Sequence, residues 1–240
     1  MLRRWRGAAR RAGVGVALAV VVLATGGGIA LASHRTVTRG EAHGVATAIN
    51  LRHADLPSLK EESNPVSAQD RRLTAQLHAC VGEAPPSEAF AAVSSPSFVG
   101  PAPSSVTMRS QTQIFPSASV VDHDLAAGRR PRALTCLAGY AESASRQAVP
   151  KDVTVTTHAA WLPTEVSGTD GVSGVRVTVV LHETQGTTTE NLPVYIDAIG
   201  FAYGQAEVSL SVTSTSTVPS TSLESRLEAL LVARAKVSIG

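Results

Sequence analysis

The chain has 240 residues, with 21 basic and 19 acidic side chains and 43 % hydrophobic ones, enough for one domain with its own core. Five arginines and no acids lie in the first 32 residues, so the remainder, 16 basic against 19 acidic, is net −3 and lacks the basic footprint of a nucleic-acid-binding protein. Aromatic residues make up only 4 % of the chain and are scattered, which excludes an obvious stacking platform for sugars.

In chain order, the first element is an export segment. Arg3, Arg4, Arg6, Arg10 and Arg11 precede an uncharged run from Ala12 to Ala32. A basic flank of this kind stays in the cytoplasm while the apolar run enters the membrane, so residues from Ser33 onward are expected outside. The run reads in two ways. As a helix it would rise about 31 Å, matching a hydrocarbon core of about 30 Å. As a cleavable signal, it offers Ala30-Leu31-Ala32 ahead of Ser33, and Gly26-Gly27-Gly28 weakens a permanent helix through backbone entropy. The anchored form is preferred, a single pass in the cell membrane through residues 12–32 with the C-terminal domain outside; secretion after cleavage following Ala32 is the alternative. The expected organisation is a basic flank over 1–11, the anchor or signal core over 12–32, a linker over 33–44 and the exported domain over 45–240.

Val45, Ala46 and Ile49 fall at helical spacing in Glu41–Leu51, and Pro57 closes that helix. Ser67 and Asp70 form a capping box ahead of Leu73, Leu77 and Cys80, predicting a helix over 67–81. A short strand is expected over 89–94, and alternation in 106–115 gives another. Residues 117–127 and 132–147 read as two helices, with Gly128 capping the first and Pro131 separating them. Beyond that, Val153 and Val155, the series Val175 to Leu181, and Val208, Leu210 and Val212 alternate with period two, as strands with one buried face do. Gly204-Gln205 suits a type II′ hairpin turn between 194–203 and 206–215, and Thr221 with Glu224 forms a second capping box opening a final helix. The order implies an α+β domain, one antiparallel sheet flanked by helices.

The two cysteines, Cys80 and Cys136, both lie in the exported part, where an oxidising compartment favours a disulfide. Closing that loop stabilises the fold by on the order of 4 kcal/mol in the chain-entropy model. No G-x-S-x-G or S-x-x-K motif supplies a serine nucleophile, and the seven histidines lack metal-ligand spacing, so no catalytic, cofactor or metal residues are assigned. Asp122-His123-Asp124 reads as a solvated helix face, because successive helical side chains diverge by about 100°. Asp197 interrupts an apolar strand and is expected to face solvent by alternation with Ile196; the other reading is a buried, paired carboxylate. Arg129, Arg130 and Arg132 either receive an anionic headgroup or phosphate or merely decorate a loop. Trp161 and Tyr195 are the candidates for lining a ligand cleft.

This order of elements, together with Ser110-Gln-Thr-Gln-Ile-Phe and Leu192-Pro-Val-Tyr-Ile-Asp, resembles the extracytoplasmic sensor-like domains of actinobacterial cell-envelope proteins, among them the outer domains of mycobacterial receptor Ser/Thr kinases. The resemblance implies an antiparallel sheet flanked by helices with a ligand cleft. Those domains often carry two disulfides, whereas this chain has cysteines for one and no kinase domain. The function expected is a non-catalytic, exported domain that binds a small ligand or an envelope protein, tethered to the membrane if uncleaved. An exported hydrolase with a dispersed site and a structural envelope protein are the alternatives.

Overall fold

The computed structural model describes residues 34–63, 66–101, 106–185 and 187–240; the basic flank and the apolar run expected as anchor or signal lie outside them. Five helices form: α1 (Ala42–Ile49), α2 (Ala68–Val81), α3 (Ala118–Gly128), α4 (Pro131–Ala148) and α5 (Thr221–Ile239). The strands are β1 (Lys60–Glu62), β2 (Ala91–Ser94), β3 (Ser97–Val99), β4 (Val106–Ile114), β5 (Val153–Trp161), β6 (Gly171–Gln185), β7 (Thr188–Tyr203) and β8 (Ala206–Thr215). They make one eight-stranded antiparallel sheet in the order β1-β3-β4-β8-β7-β6-β5, with β2 also paired to β4. The expected α+β class is the observed one.

Because side chains alternate across a strand, the two faces of the sheet build separate cores. Val155, Val175, Val177, Val179, Leu181, Val194 and Ile196 point to the side covered by α2 and α4. Phe98, Met108, Phe201, Val208, Leu210 and Val212 point the other way, where α1 and α5 pack through Ile49, Leu227 and Leu231. Each fully buried Leu or Ile contributes on the order of 2 kcal/mol. Asn50, at the end of α1, ties that helix to the sheet: it donates to the Val93 carbonyl at 2.8 Å and accepts from Ser110 and Thr112, each at 3.0 Å.

Helix ends follow local chemistry unevenly. Ser67 accepts from the Asp70 N–H at 3.0 Å while Asp70 accepts from the Ser67 N–H at 2.9 Å, the expected capping box. Gly82 closes α2 with φ +91°, and Arg132 donates to the last carbonyl, Val81, at 2.6 and 3.2 Å. Gly128, in contrast, is the last residue of α3 and not its cap; Arg129 follows in right-handed geometry. The box expected from Thr221 and Glu224 is also absent. The helix opens after Ser220 without a side-chain cap, and Glu224 is buried against the sheet instead.

The hairpin between β7 and β8 turns on Gly204, at φ +55°, in agreement with the type II′ expectation. The side chain of Gln205 is buried under it, accepting from the Val37 N–H at 2.7 Å and donating to the carbonyls of Phe115 and Pro116 at 2.9 and 3.0 Å. Residues 35–37 are therefore packed on the domain. Val37 is fully buried, and the Arg35 N–H donates to the carbonyl of Ile239 at 2.9 Å. Cys80 and Cys136 form a disulfide with Cα atoms 5.9 Å apart, tying α2 to α4 as expected.

Candidate functional site

β5 ends at Trp161, paired with Val175, so the first four residues of β6 have no strand on that side. Leu162 still donates its N–H to the Gly174 carbonyl at 2.9 Å before the chain turns away through Pro163 and Thr164. A Cβ on Gly174 would lie 2.8 Å from Thr164 Oγ1 and 2.9 Å from the Leu162 carbonyl, so this close approach needs glycine. Where the strand is missing, a cavity of about 380 Å³ opens. Trp161, Leu162, Pro163 and Val172 give it apolar walls; Thr164 lines the loop side, Ser173 and Gly174 the strand side, and Arg129, just past α3, borders it. Trp161 is 43 % exposed, while Ser173 is buried.

The electrostatics of the cavity centre on Arg129. Its Nε and Nη2 are buried and have no hydrogen-bond partner, as has Ser173 Oγ. Burial lowers the Arg129 pKa from its ordinary value, and no carboxylate is close enough to offset that. A guanidinium stays charged even so. No ion pair to Arg129 exists among the described residues.

Next to the cavity, the floor of the sheet is polar. Register places Ser173, Gly200, Ser209 and Gln111 in one row, and Gly171, Ala202, Glu207 and Gln113 in the next. Strand β8 was expected to bury one face; instead α3 covers its polar side, and Glu207, Ser209 and Thr213 are buried along with Val208 and Leu210. Asp124 of α3 accepts from the Ala84 N–H at 2.8 Å, and His78 Nδ1 lies 3.1 Å from Glu83. Burial raises the pKa of Glu83 and Glu207 well above the carboxylate range, raises that of Asp124 and lowers that of His78. The solvated helix face expected for Asp122-His123-Asp124 holds for the first two residues, which are exposed, but not for Asp124.

On the opposite face sits a third polar group. Asp197, expected to face solvent, is fully buried and accepts from Arg176 Nε and Nη2 at 2.7 and 2.5 Å. Alternation does set it against Ile196, but α5 covers that side. Burial, helped by hydrogen bonding to Asp197, pushes the Glu224 carboxyl up to about 8, and burial pushes Glu228 up to about 7.

Of the two residues expected in a cleft, Trp161 lines the cavity and Tyr195 does not. Trp161 shares a face with Val175 and Ala198, while Tyr195 points to the other side, near Arg176. His158 and His182 also lie off the cavity: His158 is exposed, and His182 contacts Thr156 and Asn191 at 2.9 and 2.6 Å. No group of three or more His, Cys, Asp or Glu side chains among the described residues converges for a metal ion. Arg129 belongs to the basic junction the sequence marks, but Thr164 and Ser173 carry no signal beyond the glycines at 171 and 174, which break the strand pattern.

No protein-family model and no curated protein matches the chain. Among solved structures, it is similar to the crystal structure of the extracellular domain of PknH from Mycobacterium tuberculosis, at 11 % identity and a TM-score of 0.40 over 85 % of this chain and 100 % of that one. Among the described residues no helix is long and apolar enough to cross a membrane.

Proposed function

We propose that the chain is an exported, membrane-anchored, non-catalytic domain that binds a small ligand in the cavity between Arg129 and Trp161. The observation that carries this reading is a concave, mostly apolar space whose lining residues Arg129 and Ser173 have polar atoms, covered by protein, with unused hydrogen-bonding capacity. Its volume of about 380 Å³ lies in the range of small-molecule sites, and its walls come from a strand end, a loop and a helix end held by the fold. Export and anchoring rest on the arginine-flanked apolar run over 12–32.

Native mass spectrometry of the protein from its own host, with membrane and medium collected separately, tests the reading. Full-length protein in the membrane fraction is expected to carry a non-covalently bound small molecule. The variant Thr164→Trp, which fills the cavity, is expected to lose it. A polypeptide that never carries added mass, or a bound molecule that survives Thr164→Trp, contradicts cavity binding.

A further inference from the structure

We propose that the cavity ligand is an organic anion, a carboxylate or phosphate monoester on an apolar body, with the headgroup at Arg129 and Ser173 and the body against Trp161 and Pro163. This rests on the cavity being the ligand site, and it names the chemistry of what enters.

Three observations converge on it. Arg129 is the cation of the cavity and has no acidic partner among the described residues, unlike Arg176, Arg234, Arg146 and Arg35, each of which is paired with a carboxylate. The buried Nε and Nη2 form one edge of the guanidinium fork, the edge whose two parallel donors fit the two oxygens of a carboxylate or phosphate. Ser173 Oγ, also covered and unpartnered, supplies a third donor from β6 once its hydroxyl turns toward the open space. An arriving anion therefore displaces no internal hydrogen bond; the guanidinium only has to turn its covered edge toward the open space. The remaining walls are aromatic and aliphatic, so a bare inorganic ion would leave most of the cavity unfilled. A neutral ligand would fill it and leave the charge uncompensated.

Trp161 reports on the site directly, because Trp5 is the only other tryptophan in the chain. The experiment uses the full chain carrying Trp5→Phe, in nanodiscs of uncharged lipid, and follows Trp161 fluorescence during titration with octyl phosphate, octanoate, octanol and octylammonium. Inorganic phosphate and acetate serve as headgroups without a body. The two octyl anions are expected to give saturable curves with midpoints at least about tenfold below octanol, and octylammonium to give none. Arg129→Met is expected to raise the anion midpoints by about tenfold or more and leave octanol unchanged. Equal midpoints for octyl phosphate and octanol overturn the anion assignment while leaving cavity binding intact. Saturation by inorganic phosphate at the same concentration as octyl phosphate overturns the apolar body and points to a free-phosphate site. No saturable response to any probe overturns the cavity reading itself. If Arg129→Met fails to fold, the comparison of anion with alcohol on the parent chain decides alone.

Discussion

Two arginines, on opposite faces of the same sheet, are desolvated in opposite company. Arg176 holds Asp197 with two hydrogen bonds of 2.7 and 2.5 Å, under a helix that adds Glu224 to the cluster. Arg129 faces a cavity, with two of its nitrogens buried and unpaired. The first arrangement is closed: each charge has its counter-charge, and the group serves to seat α5. The second is open: a partly buried cation with two unpaired nitrogens stands beside a concave space, and the proposed ligand site rests on that arrangement.

The largest effect expected from this contrast is at the closed pair. Asp197→Ala takes from Arg176, whose side chain is a quarter exposed, its buried hydrogen-bonded counter-charge and leaves only Glu224 nearby, so it should cost about 2 to 4 kcal/mol in urea unfolding. A loss below about 1 kcal/mol would show that the pair is not a structural element.

The pH dependence comes next. Glu224, with Asp197, Arg176 and Glu228 around it, has a carboxyl pushed up to about 8 from 4.5. A raised acid contributes stability that is fully present below the unfolded value and lost as pH rises through the folded one. Unfolding free energy is therefore expected to fall between pH 5 and pH 8, by about 2 kcal/mol as an order of magnitude. Glu224→Gln, which cannot ionise, should reduce that slope and leave the share of Glu228 and the other raised carboxyls; an unchanged slope would assign all of it to them. The buried His78, lowered from 6.5, acts in the opposite sense and takes stability away only as pH drops below its usual range.

The smallest effect is at the open arginine. Arg129→Met removes a desolvated charge that has no partner, so stability should change by less than about 1 kcal/mol, in the stabilising direction. A loss as large as that of Asp197→Ala would mean that Arg129 is a hidden structural pair and not a site.

Much of the fold is legible in local chemistry. Ser67 with Asp70, Gly204 in the hairpin and the valine alternation of β6 are short-range signals whose partners lie a few residues away or in a repeating pattern, and each appears where expected. The failures share one cause. Period two reports which residues share a face but not what later covers it, so Asp197 and the polar side of β8 looked solvent-facing until α5 and α3 closed over them. Glu224 shows the same limit: its spacing from Thr221 fits a cap, yet Asp197 across the layer holds it in the interior. The site is less legible still. Trp161 and Arg129 were visible as an unusual aromatic and a basic junction, but their meeting depends on β5 stopping at Val175 of its neighbour, which no local pattern encodes.

Arginine side-chain NMR on the uniformly nitrogen-labelled full chain puts both arginines in one spectrum. During titration with octyl phosphate, the expected result is a saturable shift of the Arg129 Nε–H resonance while that of Arg176 stays fixed. An Arg129 resonance that does not move, or one that moves together with Arg176, would contradict the assignment of Arg129 as the open, ligand-receiving charge.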